Sequence, residues 1–256
     1  MKFSIVTVCR NSEAVLPRAL ASLAAQSFAD REWVVVDGAS TDATMDIVRA
    51  SAEQLGDGVS EPDAGIYDAM NKGWQRARGD VVYFLNSDDA LYDGEVLAQV
   101  ADAFNRDPAL DVLIGEIVYR YGDGRMVRRS FRHLDARSLV YEDLCHQAVF
   151  ARRSVFERIG GFNLSFRINA DYDWLIRVFR SGARIGWLGK PVAYFSAGGA
   201  HVRNFELLVA EREAVRLQFV SPWRLRLELL RRRVAGRLAR IYANSWRDGT
   251  VAKDYA

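Results

Sequence analysis

The segment Tyr83-Phe84-Leu85-Asn86-Ser87-Asp88-Asp89 decides the fold, because an apolar run ends there in two adjacent carboxylates. The run Val81 to Leu85 follows the turn-forming residues Arg78-Gly79-Asp80, and this pattern predicts a strand that is buried on both faces. In open α/β sheets, ligands bind at the carboxyl ends of such strands. Two carboxylates there can hold a divalent cation through hard oxygen ligands. The alternative is a polar strand end that leads into a helix N-cap.

The first 85 residues alternate between strand and helix patterns. Strands are predicted at Phe3 to Val8, Trp33 to Val36 and Val81 to Leu85, and helices at Leu16 to Ala25, Ala43 to Gln54 and Gly65 to Ala77. This alternation implies parallel strands that are joined by helical crossovers. The segment Gly56 to Asp63 between the second and third helices is predicted to be a loop.

The middle of the chain contains a hairpin signal and further helices. Asp123-Gly124 is a turn signal that joins two predicted antiparallel strands, Val112 to Tyr119 and Met126 to Phe131. Helices are predicted at Gly94 to Phe104, Ser154 to Ile159 and Asp171 to Arg180, and a last strand at Pro191 to Phe195. The expected fold class is therefore α/β, with a mixed and mostly parallel central sheet that is flanked by helices.

The last fifth of the chain has a different character. Helices are predicted at Phe205 to Phe219 and Trp223 to Tyr242, so the chain divides into a domain of residues 1–204 and a basic helical tail of residues 205–256. In the second helix an apolar stripe of Leu227, Leu230, Val234, Leu238 and Ile241 is flanked by Arg226, Arg233, Arg237 and Arg240. Such a helix can lie on an anionic membrane surface. It can equally pack its stripe against the protein or a second subunit.

The overall composition excludes several classes of protein. The net charge of +2 over 256 residues argues against a general nucleic-acid-binding protein. The two cysteines, Cys9 and Cys145, are too few for a disulfide framework, so a reducing, cytoplasmic setting is expected. No run of about 20 apolar residues is present, so no segment is expected to span a membrane.

Three predicted strand ends carry polar clusters, at Thr7 to Asn11, Asp37 to Asp42 and Asn86 to Asp89. In a parallel sheet these ends meet at one edge, which favours a ligand site over three independent helix caps. Asp37 can accept hydrogen bonds from a ribose hydroxyl or a base N–H, although its turn can instead cap the next helix. Neither a G-x-G-x-x-G nor a P-loop motif is present. The phosphates of a bound nucleotide would therefore be neutralised by a cation.

These segments together resemble the family 2 glycosyltransferases, which have the GT-A fold. The resemblance covers residues 3 to 200 and rests on several motifs in the family's order. They are Phe3-Ser-Ile-Val-Thr-Val-Cys-Arg-Asn11, Val36-Asp-Gly-Ala-Ser-Thr-Asp-Ala-Thr44, Glu61-Pro-Asp-Ala-Gly-Ile-Tyr-Asp-Ala-Met-Asn-Lys-Gly73, Gly79-Asp80, Phe84-Leu-Asn-Ser-Asp-Asp89, Gly160-Gly-Phe162 and Ala170-Asp-Tyr-Asp-Trp174.

The resemblance assigns roles to individual residues. It implies a nucleotide-sugar site lined by Thr7, Cys9, Asp37, Asp68 and Asp88, in which Asp37 binds the base and Asp88 lies near the ribose and donor sugar. It implies that Asp89 binds a Mn²⁺ or Mg²⁺ ion directly. It also implies that Asp171 is the catalytic base, although Ala170 stands where many relatives have Glu.

The implied activity is inverting transfer of a sugar from a nucleoside-diphosphate sugar, of which a UDP-sugar is the expected donor. The expected acceptor is a saccharide on a polyprenyl diphosphate, used in bacterial surface polysaccharide synthesis. The Q-x-x-R-W motif of processive synthases is absent, which favours single additions over polymerisation. The alternatives are a catalytically silent sugar-nucleotide-binding or scaffolding subunit and a nucleotidyltransferase. For Asp171 itself, the alternative is a first-turn acid that offsets the helix dipole.

Two histidines are further candidates. His201 follows Gly198-Gly199 and can ligate the metal or contact phosphate, with a solvent-facing residue as the alternative. His146 can contact donor or acceptor, although a structural histidine is the favoured interpretation.

Overall fold

The computed structural model describes residues 1–51, 55–197 and 204–247 of the chain. Two compact units divide the chain, Met1–Arg212 and Glu213–Ala256. The first unit contains all the strands in the described part of the chain. The predicted division into a catalytic domain of residues 1–204 and a basic helical tail of residues 205–256 stays a prediction.

The first unit is built on one mixed sheet. Its strands are β1 Phe3–Cys9, β2 Arg31–Asp37, β3 Leu55–Ser60, β4 Val81–Phe84, β5 Ala90–Leu91, β6 Val112–Arg120, β7 Met126–Arg129, β8 Val149–Arg152 and β9 Ile185–Ser196. The strand order is β3-β2-β1-β4-β8-β6-β9-β5, and β7 pairs with β6 outside this path. The predicted α/β fold with a mixed sheet is confirmed.

Helices connect and cover these strands. They are α1 Leu16–Ala24, α2 Thr44–Ala50, α3 Ile66–Arg76, α4 Val96–Arg106, α5 Arg153–Ile159, α6 Ala170–Arg180, α7 Phe205–Phe219 and α8 Pro222–Arg247. A short 3₁₀ turn, His146–Ala148, precedes β8. Pro17 occupies the first turn of α1, where the missing N–H costs no helical hydrogen bond. The predicted helices therefore exist, with ends that differ by a few residues.

The parallel half of the sheet follows directly from the apolar runs. Strand β1 lies between β2 and β4 and runs parallel to both. Ile5, Val34 and Val81, one from each of these strands, are fully buried. Strands with apolar residues on both faces need cover on both faces, which the crossover helices provide. The carboxyl ends of β1, β2 and β4 consequently lie along one edge.

The other half of the sheet contains antiparallel pairs. Strand β8 is antiparallel to both β4 and β6, and β6 forms the predicted hairpin with β7. Strand β9 is parallel to β6 and pairs antiparallel with the two-residue β5. Within the described ranges, four pairings are parallel and four are antiparallel. The antiparallel share is larger than the sequence patterns predicted.

Two strands, β3 and β9, differ from the elements that the sequence predicts. The predicted loop Gly56 to Asp63 contains most of β3, which pairs parallel with β2 even though its sequence, LGDGVS, carries two glycines. Strand β9 begins at Ile185, well before the predicted start at Pro191.

At the end of α6, Gly182 has a φ of +80°, which is the left-handed conformation that favours glycine after a helix.

Gly79 is required where the chain enters β4. A Cβ atom at this position would lie 2.7 Å from the backbone nitrogen of Ser4 and 2.8 Å from the carbonyl oxygen of Lys2. The Gly79 N–H donates to Ser4 Oγ at 2.8 Å, and Ser4 Oγ in turn donates to Glu32 Oε1 at 2.5 Å. The absent side chain thus lets the turn pack directly against β1 and aligns β4 beside it.

The second unit contains the long helix α8. Several apolar side chains on this helix are exposed, and Trp223, Leu227, Leu230 and Val234 are between 49% and 62% accessible. Arg224, Arg226, Arg231 and Arg233 are also exposed. No helix in the described part of the chain has both the length and the apolar character needed to cross a bilayer.

Candidate active site

A cavity of about 930 Å³ opens at the carboxyl ends of β1 and β4. Cys9 contributes from β1, Ser87 and Asp88 from the segment after β4, and Asp171 from the start of α6. This volume is in the range of small-molecule binding sites. The cavity therefore occupies the edge of the sheet at which the sequence predicts a ligand.

Asp37, at the end of β2, is fully buried behind this cavity. Its Oδ2 accepts hydrogen bonds from the Ser40 N–H at 2.9 Å and from Ser60 Oγ at 2.6 Å, while its Oδ1 accepts from Ser40 Oγ at 2.5 Å. Cys9 Sγ lies 3.6 Å from Asp37 Oδ1. Burial, with added repulsion from Asp37, raises the pKa of the Cys9 thiol to about 12. Asp37 therefore organises the turn after β2, and its contact with a base stays a prediction.

Two other predicted nucleotide-binding residues lie outside the large cavity. Thr7 is buried, and its hydroxyl accepts a hydrogen bond from Trp33 Nε1 at 3.0 Å. Asp68 lines a smaller neighbouring cavity of about 340 Å³. Its Oδ2 accepts from the Ala64 N–H at 3.0 Å and lies 3.3 Å from Lys72 Nζ. These positions do not support direct ligand contact in the large cavity, and both roles stay predictions.

Asp88 and Asp89 have different surroundings. Asp88 lines the cavity, and no side chain in the described part of the chain pairs with its carboxylate. Asp89 is 1% exposed, with Oδ1 accepting from the Ser196 N–H at 3.0 Å and Oδ2 from Gln147 Nε2 at 2.9 Å. Burial, with repulsion from Asp88, raises the pKa of Asp89 to about 7. Asp88 is thus the acid that lines the cavity, and direct binding of a metal ion by Asp89 stays a prediction.

Asp171 lies at the cavity wall with its carboxylate held by three donors. Its Oδ1 accepts hydrogen bonds from Tyr67 Oη at 2.7 Å and from the Tyr172 N–H at 2.9 Å. His146 Nδ1 lies 2.9 Å from its Oδ2. Burial alone would raise the pKa of Asp171, but the hydrogen bonds from His146, Tyr67 and Tyr172 bring the pKa below its ordinary value. Asp171 is therefore an ionised carboxylate at neutral pH.

His146 joins Asp171 to the segment that follows β4. Its Nε2 lies 3.2 Å from Asn86 Nδ2, and its side chain is 13% exposed and lines the cavity. The sequence favoured a structural role for His146 and assigned none to Tyr67. The sequence offers one signal for the cluster of Tyr67, His146 and Asp171, which is the segment Cys145-His146-Gln147 directly before an apolar run. This signal does not indicate that His146 lies close to Asp171.

Glu211 of α7 fixes the backbone just before Asp171. Its carboxylate accepts hydrogen bonds from three consecutive N–H groups, those of Arg167 at 2.7 Å, Ile168 at 2.9 Å and Asn169 at 3.1 Å. The N-cap residue of α6, Asn169, makes no capping bond with its own side chain and instead donates from Nδ2 to the Leu208 carbonyl at 3.0 Å. The chain segment that leads into α6 is thus held in place by α7.

The residues present are compatible with a divalent cation that is held partly by its ligand. Among residues 1–51, 55–197 and 204–247, no group of three or more histidine, cysteine, aspartate or glutamate side chains is arranged to hold a metal. Magnesium-type sites commonly use one or two carboxylates together with substrate phosphates. The Asp88 carboxylate, with which no side chain in the described ranges pairs, satisfies that minimum. His201, the other predicted ligand, lies outside the described residues.

The mixed sheet and the acid-bearing cavity at its strand ends define a GT-A sugar-nucleotide transferase fold. Residues 4–167 match the profile of glycosyl transferase family 2. The chain belongs to this family. The match ends just before α6, so Asp171 lies outside it.

Related proteins that are named as glycosyltransferases support this family assignment. The chain is 40% identical over 186 residues to a PGL/p-HBAD biosynthesis glycosyltransferase of Mycobacterium bovis BCG, covering 72% of each protein. It is 32% identical over 176 residues to an uncharacterised glycosyltransferase of Mycobacterium tuberculosis H37Rv, covering 68% of this chain and 67% of that protein.

Solved structures support the same fold. Staphylococcus aureus TarS 1-349 in complex with UDP-GlcNAc matches with a TM-score of 0.67 and 26% identity, covering 83% of this chain. This chain spans 66% of the length of that TarS fragment. A mannosyltransferase from Pyrobaculum calidifontis, solved with GDP-Man and Mn²⁺, matches over 79% of this chain and 59% of its own, with a TM-score of 0.61. At 21% identity that likeness concerns the fold alone.

Proposed function

We propose that this protein is a metal-dependent, inverting glycosyltransferase that moves a sugar from a UDP-sugar to a hydroxyl group of a lipid-linked acceptor in bacterial glycan synthesis. The observation that carries the proposal is that one cavity holds two different carboxylates: Asp88, with which no side chain of the described residues pairs, and Asp171, which is half-buried and hydrogen-bonded through both oxygens. A metal-dependent inverting transferase needs one acid that holds the metal ion at the donor diphosphate and a second acid that accepts the proton of the acceptor hydroxyl.

The donor half of the proposal rests on the strand ends. Cys9, Ser87 and Asp88 line the cavity where β1 and β4 end, which is the usual ligand edge of an α/β sheet. The likeness to TarS, which was solved with UDP-GlcNAc, supports a UDP-sugar over other nucleotide sugars. Asp88 would hold a Mn²⁺ or Mg²⁺ ion, whose positive charge stabilises the departing diphosphate as a Lewis acid.

The acceptor half rests on Asp171. Its lowered pKa keeps it ionised, so it can accept the proton of an acceptor hydroxyl. A carboxylate of ordinary or low pKa is sufficient, because the hydroxyl becomes acidic only as its oxygen bonds to the anomeric carbon. Attack from the face opposite the diphosphate inverts that carbon. No covalent intermediate is required.

Helix α8 supports a membrane-associated acceptor. Its exposed Trp223, Leu227 and Leu230 combine apolar surface with neighbouring exposed arginines, as in helices that lie in the interface of anionic bilayers. Each arginine near such a surface adds about 1 kcal/mol of attraction. A polyprenyl-diphosphate-linked saccharide is therefore the proposed acceptor class.

Isothermal titration of a panel of nucleotide sugars tests the donor site. Wild-type protein is titrated with Mn²⁺ and again with EDTA, beside Asp88→Ala, Asp89→Ala and the exposed control Asp123→Ala. We expect metal-dependent binding of one UDP-sugar, lost in Asp88→Ala and unchanged in the control. Metal-dependent binding that survives in Asp88→Ala but disappears in a folded Asp89→Ala would return the ligand role to Asp89. Donor binding without any transfer to acceptors would favour the catalytically silent subunit.

A further inference from the structure

His146 is held between two polar groups on different elements. It lies in the 3₁₀ turn before β8, with Nδ1 2.9 Å from Asp171 Oδ2 on α6 and Nε2 3.2 Å from Asn86 Nδ2 after β4. Asn86, His146 and Asp171 all line the large cavity. Both ring nitrogens are thus engaged, and the ring plane is fixed from two sides.

These partners select one tautomer of the imidazole. An ionised carboxylate only accepts hydrogen bonds, so the proton of a neutral His146 lies on Nδ1 and is donated to Asp171. Nε2 then carries a lone pair, which accepts a hydrogen from Asn86 Nδ2. A hydrogen bond at one ring nitrogen of a histidine determines whether the other ring nitrogen carries the proton or the lone pair.

Three donors fix the Asp171 carboxylate, and His146 is the only one that acts on Oδ2 in the described part of the chain. Tyr67 Oη and the Tyr172 N–H both bond Oδ1. The phenol of Tyr67 also lies 2.6 Å from the carbonyl oxygen of Ile168, so its single proton is shared between two acceptors. Loss of the His146 bond would leave Oδ2 without this donor, and the orientation of the carboxylate would then depend on the bonds to Oδ1 alone.

We propose that His146 is a positioning residue for the transfer reaction, which holds the Asp171 carboxylate in the orientation that receives the acceptor proton and is itself oriented by Asn86. This inference rests on the proposed function. It extends that function by linking the base to the segment that carries Asp88, two residues after Asn86. The hydrogen-bonded chain of Asn86, His146 and Asp171 thereby connects the base to that segment.

The test compares three substitutions at His146 with a matched control. His146→Asn keeps an amide nitrogen near the position of Nδ1 and so keeps the bond to Asp171. His146→Gln places its amide nearer the position of Nε2, and His146→Ala removes both bonds. The control is His133→Ala, because His133 makes a similar bond to Glu142 at 2.8 Å but is 55% exposed and is not among the residues that line the cavity.

Transfer kinetics are measured for each full-length variant, with thermal melting as the folding check. We expect His146→Ala to lower kcat about tenfold to hundredfold while the KM for the donor stays within about twofold, since misorientation of a general base affects the chemical step. His146→Asn should recover most of kcat and exceed His146→Gln. His133→Ala should match the wild type.

Several outcomes would overturn the inference. A kcat within about twofold of wild type in His146→Ala would do so, and so would equal impairment in the Asn and Gln variants. If His146→Ala does not fold, the kcat values of His146→Asn and His146→Gln are compared instead, and equal values would overturn the inference. Absence of transfer by the wild type itself would instead reject the proposed function, and the inference with it.

Discussion

Asp88 and Asp89 are adjacent in the chain but occupy opposite environments, since Asp88 faces the cavity and Asp89 is buried with both oxygens hydrogen-bonded. The two residues lie in the turn between β4 and β5, where Asp88 is among the residues that line the cavity and Asp89 is 1% exposed. Asp89 instead ties the segment after β4 to Gln147 and to the end of β9. The pair therefore combines one acid at the cavity with one buried, hydrogen-bonded acid.

The buried acid predicts an unusual dependence of stability on pH. The pKa of Asp89 is about 7 in the folded protein, against 3.8 for an unperturbed aspartate. Between about pH 4 and pH 7 the folded state keeps a proton that the unfolded state has lost. The stability that Asp89 contributes is thus fully present below pH 4 and is lost as the pH rises through 7.

Asp89→Asn isolates this effect because asparagine does not titrate. The free energy of unfolding of the wild type minus that of the variant should fall by up to about 4 kcal/mol between pH 4 and pH 8, measured by urea unfolding in EDTA. Asp123→Asn is the control, because hydrogen bonds from Arg125 lower the pKa of Asp123, so its contribution changes only below about pH 4 and the difference should stay nearly constant from pH 4 to pH 8. A difference for Asp89→Asn that does not vary with pH would contradict this account.

Asp171→Asn should abolish transfer while donor binding is retained. The amide has the size of the carboxylate but cannot accept the acceptor proton, so kcat should fall by about 10²- to 10⁴-fold. The Kd for the nucleotide sugar, measured by titration calorimetry, should stay within about threefold. Asp123→Asn, on the exposed β6–β7 turn, should retain full activity. Turnover by Asp171→Asn near the wild-type rate would exclude Asp171 as the base.

Gly79→Ala should destabilise the protein without touching the cavity. The new Cβ would lie under 3 Å from backbone atoms of the first strand, which cannot move aside as a flexible side chain can. We expect a loss of about 1–3 kcal/mol in the free energy of unfolding, measured by urea denaturation. Gly122→Ala is the matched control, because no atom lies within 4 Å of its added Cβ. Equal stability of the two variants would refute the close-packing argument.

Removal of the chain after Phe219 should abolish binding to anionic vesicles. The full chain should sediment with vesicles rich in phosphatidylglycerol, less so at high salt, and not with neutral phosphatidylcholine vesicles. The shortened chain should stay in the supernatant in each case while it still binds the donor. Charge reversal at Arg226 and Arg231 should weaken sedimentation of the full chain. Equal sedimentation of both chain lengths would favour a protein-packing role for the helix.

Much of the fold could be predicted because its signals are local. Apolar residues dominate β1, β2 and β4, and the turn signal Asp123-Gly124 marks the β6–β7 hairpin. Strand β3 gave no such signal, since two of its six residues are glycines and its extended form depends on pairing with β2. The start of β9 at Ile185 was missed for a related reason, because its register is set by β6.

The candidate site was predictable only in part. Motif order pointed to Asp88 and Asp171, and the cavity contains both. The different burial of Asp88 and Asp89 depends on Gln147 and Ser196, which are remote in sequence. His146 precedes Asp171 by 25 residues, and their contact depends on how the 3₁₀ turn and α6 pack. Such tertiary contacts have no periodic or compositional signature.

The carboxylate of Glu211 has a consequence for how this enzyme family can be recombined. Three backbone N–H groups beside Asp171 depend on a residue that follows the family match by more than forty positions. A chimera that replaces the segment containing Glu211 with one that has no acidic residue at that position would carry the motifs yet lack the acceptor for those groups. Each buried donor left without a partner costs about 1–3 kcal/mol. Glu211 lies in the compact unit Met1–Arg212, so a chimera that joins its segments beyond Arg212 keeps these hydrogen bonds.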